Sequence, residues 1–85
     1  MKKVLKFSAD WCSPCKQMTV QMNRLQPEFS LNNELVNVDV DSDSVSAKKY
    51  NIRSIPTLIK LNEAGEEIAR STGSMTDKKL VDFFL

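Results

Sequence analysis

Eighty-five residues, 41% apolar and 27% charged, have the composition of an ordinary globular protein and are expected to form a single domain, residues 1–85, with no room for a second core. Twelve Lys and Arg against eleven Asp and Glu leave a net charge of +1, which removes the electrostatic case for nucleic acid or an anionic membrane as the main partner. The absence of histidine excludes Ser–His and Cys–His nucleophile pairs and any His-ligated metal site.

The first residues, Met1-Lys2-Lys3-Val4-Leu5-Lys6, are basic but lead into no apolar h-region, because Lys6 and Asp10 interrupt it. No secretory signal is expected, and the cytoplasm is the expected compartment. No apolar run approaches the roughly 20 residues of a membrane span. Val4–Phe7 reads as a strand with Leu5 and Phe7 on one face. Cys15, Met18, Met22, Leu25 and Phe29 then recur at helical spacing, and Pro27 marks an end or bend of that helix. Leu35–Asp41 alternates at period two, placing Val36, Val38 and Val40 on one side of a second strand. Asp43–Tyr50 reads as a short helix opened by an Asp/Ser cluster. Thr57–Leu61 and Glu67–Ser71 form two strands joined by a turn over Asn62–Glu66. After Gly73, Thr76 or Ser74 caps a last helix whose Leu80, Val81, Phe83 and Phe84 face the core. The order β-α-β-α-β-β-α predicts an α/β fold. Its first two strands run parallel through a right-handed crossover, in a mixed four-stranded sheet with helices on both faces.

The segment that carries chemistry is Trp11-Cys12-Ser13-Pro14-Cys15-Lys16, which follows a strand and opens a helix. The first turn of a helix has unsatisfied N–H groups and the positive end of the macrodipole, so a thiolate there is stabilised. The thiol pKa is expected to fall from about 8.5 toward roughly 7. A drop of about 1.5 units, worth about 2 kcal/mol, raises the thiolate fraction at neutral pH from about 3% to about 50%. Lower basicity costs about 4–6-fold in nucleophilicity, leaving a net gain of about threefold, together with a better leaving thiolate and a shifted redox poise. Cys12, ahead of the helix, is expected to be exposed and to attack. Cys15, on the apolar face with Met18 and Met22, is expected to be the shielded resolving thiol. Pro14 sits where a helix needs no donor. A purely structural disulfide across so short a loop stabilises by only about 2 kcal/mol. Zinc and iron–sulfur sites need more ligands than two sulfurs, so no metal is expected. The strand-CxxC-helix context points to redox exchange.

These residues resemble the thioredoxin family. Phe7–Lys16 is similar to the thioredoxin active-site segment, and Tyr50-Asn51-Ile52-Arg53-Ser54-Ile55-Pro56-Thr57-Leu58 is similar to its second signature. Gly65 and Gly73 fall where that family places glycines. The likeness runs from about Val4 onward, without the N-terminal strand and helix of full-length thioredoxins. It implies that Pro56 is cis and packs on the sulfurs, that the backbone of Ile55 pairs with a substrate chain, and that Trp11, Ile55, Gly73 and Ser74 border the docking surface. Ser13, Pro14 and Lys16 would support the site. The resemblance also implies a Cys12–Cys15 disulfide in the oxidised protein and no bound cofactor. Clients would be disulfide-containing proteins such as ribonucleotide reductase or a peroxiredoxin, with regeneration by a thioredoxin reductase or by glutathione. A monomer is expected.

Several positions depart from the family pattern. Lys6 stands where thioredoxins have a buried Asp that helps proton transfer at the resolving cysteine, and Asn37 stands in place of that Asp's Lys partner. Ser8 replaces a Trp, Ser13 a Gly, and Val20 a Pro. A buried Lys without a partner is costly, so Lys6 is expected to reach Asp39 on the neighbouring strand or to extend to solvent. A cation near the thiols would favour the thiolate; the alternative is a Lys at the edge of the site with no part in the chemistry. Two further alternatives stay open. One is a glutaredoxin-like, glutathione-dependent reductant, in which Asp77 would contact the glutathione amine. The other is a non-catalytic interaction module of the same fold.

Overall fold

The computed structural model describes residues 2–29 and 33–85. Strand β1 (Lys2–Ser8) leads into helix α1 (Ser13–Phe29), then strand β2 (Asn33–Asp39) and helix α2 (Ser44–Lys49). Strands β3 (Thr57–Leu61) and β4 (Glu67–Thr72) and helix α3 (Asp77–Phe84) complete the order. The sheet order is β2-β1-β3-β4, with β1 and β2 parallel and the other two pairs antiparallel. This is the expected topology and the expected mixed sheet.

Central β1 is covered on both faces, which is why Val4 to Phe7 are all buried although only one face was legible as apolar. Leu5 and Phe7 point to one side, where they meet Val38, Ile59 and Leu61, with Val36, Val40, Tyr50 and Ile52 packed around them. Val4 points to the other, where it meets Met18 and Met22 of α1, Leu58 of β3, and Leu80 and Phe84 of α3. Of the residues expected to turn the last helix inward, Leu80 and Phe84 are buried, Phe83 packs at the edge, and Val81 is half-buried. The Phe29 side chain, expected on the face of Met18 and Met22, lies outside the described part of the structure. The helix does not end at Pro27 but continues to Phe29. Strand β2 begins and ends two residues earlier than its alternation suggested, because the ladder with β1 closes at Ser8 and Asp39.

Three local devices aim the loops at one end of the sheet. Asp43 caps α2 by accepting the Ser46 backbone N–H at 3.1 Å. At its other end the N–H groups of Asn51 and Ile52 bond Lys48 O and Ala47 O, with Asn51 at φ 54°, a Schellman-type stop that reverses the chain toward Ile55. Asn is among the few side chains that tolerate that backbone region. The third device is Thr76, which caps α3 by accepting the Lys79 N–H at 3.2 Å. The C-terminal carbonyls of α3 are met by buried donors: Lys60 Nζ bonds Phe83 O at 3.2 Å and Asn33 Nδ2 bonds Phe84 O at 2.6 Å.

Candidate active site

The chain leaves β1 at Ser8, turns through Ala9 to Trp11, and enters α1 at Ser13. Cys12 holds the N-cap position: its carbonyl accepts the Lys16 N–H at 3.1 Å, and its own N–H bonds Ala9 O at 3.1 Å. Its sulfur takes the place that a Ser or Asp oxygen takes in other caps, 3.2 Å from the Cys15 backbone nitrogen. No acidic side chain stands in the first turn of α1, so no carboxylate there competes with this sulfur for the positive end of the helix. Cys12 and Cys15 are joined as a disulfide, with their Cα atoms 5.3 Å apart.

The expectation that Cys12 stands open to water is not met. Cys12 is 5% exposed, hardly more than Cys15 at 2%. Both sulfurs pack with Ala9 under Val40 and Ile55, because the cap geometry folds the Cys12 side chain back over the helix end. What is open is the rim: Trp11, Ser13, Pro14 and Lys16 are exposed, Trp11 to 68%. The Ile55–Pro56 bond is cis, and the Ile55 carbonyl oxygen lies 4.0 Å from Cys12 Sγ. The Gly73 N–H bonds Pro56 O at 2.8 Å, which ties the loop carrying Gly73 and exposed Ser74 to the same end of the sheet. Gly73 adopts φ 90°, a backbone region that glycine enters freely.

A groove of about 340 Å³ runs from this rim toward α2, walled by Trp11, Val40, Ile52, Arg53, Ser54 and Ile55. The Trp11 ring is held as its wall by a hydrogen bond from Nε1 to Asp41 Oδ2 at 2.8 Å. Asp41, Val40, Ile52 and Arg53 had no place at the site in the sequence: Val40 read only as a strand-face residue, and Ile52 and Arg53 only as part of the second signature. Only the tertiary fold carries the ends of β2 and α2 to the cysteine loop.

Lys6 overturns its sequence-based expectation. Its residue is 3% exposed, so it does not extend to solvent. It does not reach Asp39 either: Asp39 Oδ1 accepts the backbone N–H groups of Asp41 at 2.8 Å and Ser42 at 3.2 Å. Lys6 Nζ instead donates to Thr19 Oγ1, and that hydroxyl donates to Cys15 O at 3.2 Å. The reason is directional. Lys6 points at α1, and the hydroxyl one turn beyond Cys15 stands there. Burial pushes the Lys6 ammonium below its usual pKa. Asp77 is likewise committed, accepting from Gln21 Nε2 at 3.0 Å and from Arg24 at 2.9 Å. Among the described residues there is no cluster of three or more His, Cys, Asp or Glu able to hold a metal ion, and no helix is long and apolar enough to cross a membrane.

The thioredoxin family model matches residues 1–85. The chain belongs to the thioredoxin family. It is 34% identical to a thioredoxin of Haemophilus influenzae over 94% of this chain and 74% of that protein. It is 39% identical to thioredoxin C-2 of Corynebacterium nephridii over 91% of this chain and 70% of that protein. Among solved structures, the N21Q mutant thioredoxin from Halobacterium salinarum superposes with a TM-score of 0.85 at 26% identity, over 98% of this chain and 71% of the other. Oxidised mitochondrial thioredoxin 3 from Saccharomyces cerevisiae gives 0.85 at 28% identity, over 98% and 76%. With the cysteines of its CxxC motif at disulfide distance, this thioredoxin-family protein is a protein-disulfide oxidoreductase. Its substrates are disulfides, and its oxidised pair is returned to the dithiol by a reductase partner, as family membership implies.

Proposed function

We propose that this thioredoxin-family protein works as a cytoplasmic, monomeric reductant of protein disulfides, with residues 1–85 acting as one domain. Cys12 is the attacking sulfur and Cys15 the resolving one. Reduced Cys12, as thiolate, attacks a client disulfide. One client sulfur leaves as a thiolate and takes a proton from solvent, and the other is held on Cys12. Cys15 then gives its proton to solvent and attacks Cys12 as a thiolate, the Cys12–client bond breaks, and the second client sulfur leaves as a thiolate that solvent protonates. The client gains two electrons and the dithiol becomes the Cys12–Cys15 disulfide. The observation that carries this order is the 3.2 Å approach of the Cys15 N–H to Cys12 Sγ at a helix start with no competing carboxylate. A thiolate on Cys12 is stabilised there, and one on Cys15 does not receive that bond.

The docking surface is assigned to Trp11, Ile55, Pro56, Gly73 and Ser74, with Ser13, Pro14 and Lys16 completing the rim. The Ile55 carbonyl next to Cys12 offers a client backbone an acceptor at the reacting sulfur. Clients of the type of ribonucleotide reductase or a peroxiredoxin fit this chemistry. The reductase partner is a thioredoxin reductase; regeneration by glutathione is less well supported, because the Asp77 carboxylate is already taken by Gln21 and Arg24.

Insulin reduction tests the reading. Turnover is expected to vanish in Cys12→Ser, and full activity in that variant would leave a non-catalytic module as the better account. Cys15→Ser should trap clients as mixed disulfides on Cys12 and so identify them. A measured potential near −120 mV, that of a strong oxidant, would reverse the assigned direction.

A further inference from the structure

The loop that borders the docking surface beyond β4 is held from two directions. It runs from Gly73 to Thr76, between β4 and α3, and presents Ser74 to solvent. On one side the Gly73 N–H bonds Pro56 O at 2.8 Å, which ties the loop to the cis-proline turn. On the other, Gln21 Nε2 donates to Met75 O at 2.9 Å and to Asp77 Oδ1 at 3.0 Å. A side-chain amide has two N–H groups, so Gln21 spends both on this segment. Gln21 lies on α1, the helix that begins beside Cys12 and carries Cys15. Its two bonds differ in what backs them. Asp77 is also paired with Arg24 at 2.9 Å, whereas among the described residues Gln21 is the donor to Met75 O.

Ser74 thus stands between two anchors, one on the proline turn and one on the cysteine helix. A client chain that lies over Ile55 and this loop must present its disulfide to Cys12 at the start of α1. The loop and the sulfur belong to distant stretches of chain, and a misplacement of about 1 Å costs on the order of 100-fold in such reactions. We propose that Gln21 is a positioning residue for client docking: by bonding Met75 O it ties the Gly73–Ser74 loop to the helix that carries the reactive pair, and so sets where a docked client lies relative to Cys12. This rests on the docking surface assigned above and deepens it. Gln21 bonds neither sulfur, so the chemistry of the thiols does not depend on it. The Arg24–Asp77 pair supplies the contrast. It joins the same two helices, α1 and α3, with both ends open to solvent, and it holds no atom of the loop before Asp77. A residue that only supports the packing behaves like Arg24, and one that positions the loop does not.

The experiment compares the wild type with Gln21→Met, Gln21→Lys and Arg24→Met. Methionine is a good helix former of similar length and removes both donors. Lysine restores N–H donors with the reach to Met75 O. Arg24→Met cuts the ion pair and leaves Met75 O bonded. Oxidation of each pre-reduced protein by rising concentrations of insulin is followed by the fluorescence of Trp11, the only tryptophan. Attack on dithionitrobenzoate, too small to span loop and sulfur together, reports the thiol itself. A neutral hydrogen bond is worth a factor of about five in an equilibrium, so Gln21→Met should raise the half-saturating insulin concentration about three- to fivefold at an unchanged limiting rate. Its attack on dithionitrobenzoate should stay within about twofold of the wild type. Gln21→Lys and Arg24→Met should keep half-saturation within about twofold of the wild type. Should Gln21→Met fail to fold, Gln21→Asn, too short to span to Met75 O, carries the same expectation. An unchanged half-saturation in the donor-lacking variant overturns the proposal, as does an equal rise in Arg24→Met or a rise that Gln21→Lys does not reverse. A loss of dithionitrobenzoate attack matching the loss with insulin overturns it too. A wild type that insulin does not oxidise removes the reductant reading and this proposal with it. A wild type that is oxidised while Gln21→Met shares its half-saturation sinks this proposal alone.

Discussion

Replacing Asp41 with Ala isolates what the wall of the groove contributes. Trp11 Nε1 donates to Asp41 Oδ2 at 2.8 Å, and both side chains are exposed. A hydrogen bond to a charged acceptor contributes about 1.5–3 kcal/mol when shielded, and solvent at both ends brings this to about 1 kcal/mol or less. A loss of about 1 kcal/mol lowers the population of the held ring about fivefold. Asp41 bonds neither cysteine, so the chemistry of the sulfurs should be untouched. The expected result for Asp41→Ala is a KM for a disulfide peptide raised about two- to fivefold with kcat unchanged, the signature of lost uniform binding. Trp11 is the only tryptophan, so its fluorescence reports the ring directly, and its anisotropy should fall in the same variant. Asp41→Asn keeps an acceptor and removes the charge. It should stay close to the wild type if the ring position matters, and should follow Asp41→Ala if the charge matters. A fall in kcat at constant KM in Asp41→Ala would refute the docking role of the wall, as would unchanged anisotropy together with unchanged KM.

Three further outcomes follow from the packing and charges. Thr76→Ala removes the cap on α3 and should cost about 1 kcal/mol, a thermal midpoint lower by roughly 4–8 °C in calorimetry of a domain this size. The hydrogen bond from Gln21, then that from Arg24, holds the Asp77 carboxyl below its usual 3.8. Its folded pKa lies under its unfolded one, so it contributes stability above about pH 4 that is lost as pH falls through the folded value, and Asp77→Asn should flatten that part of a urea-stability profile. Burial, then the charge of Lys2, lowers the Lys60 ammonium from 10.5, and burial alone lowers Lys6. Here the unfolded chain keeps a proton that the folded chain releases, so stability should rise with pH between the lowered values and about 10.5. The rise should shrink in Lys60→Met.

Much of the fold could be read from local pattern. β3 was legible to its end residues because Thr57-Leu58-Ile59-Lys60-Leu61 is rich in strand formers and is bounded by Pro56 and a turn. Leu5 and Phe7, and Val36, Val38 and Val40, were assigned to their faces by period-two alternation, which packing preserves. The CxxC pair and the Ile55–Pro56 step stood out because few other roles suit those residues there. The burial of Cys12 was not legible. A position before a helix suggests exposure, but the cap geometry turns the side chain back, and Val40 at the end of β2 and Ile55 of the incoming loop cover it. Nor was the partner of Lys6. Register places Asp39 on an adjacent strand, but the Lys6 side chain donates to Thr19 of α1, and the Asp39 carboxylate serves the turn through Asp41 and Ser42.

Spacing along the chain determined the element order, the reactive pair and its place at a helix start, because these depend on neighbours one to four residues away. The three-dimensional packing alone decided how far the sulfurs are covered, which residues wall the groove beside them, and what lies next to the buried ammonium. Those outcomes join residues 13 to 43 positions apart, as Lys6 to Thr19 and Cys12 to Ile55 show, and no local preference encodes which groups meet across such separations.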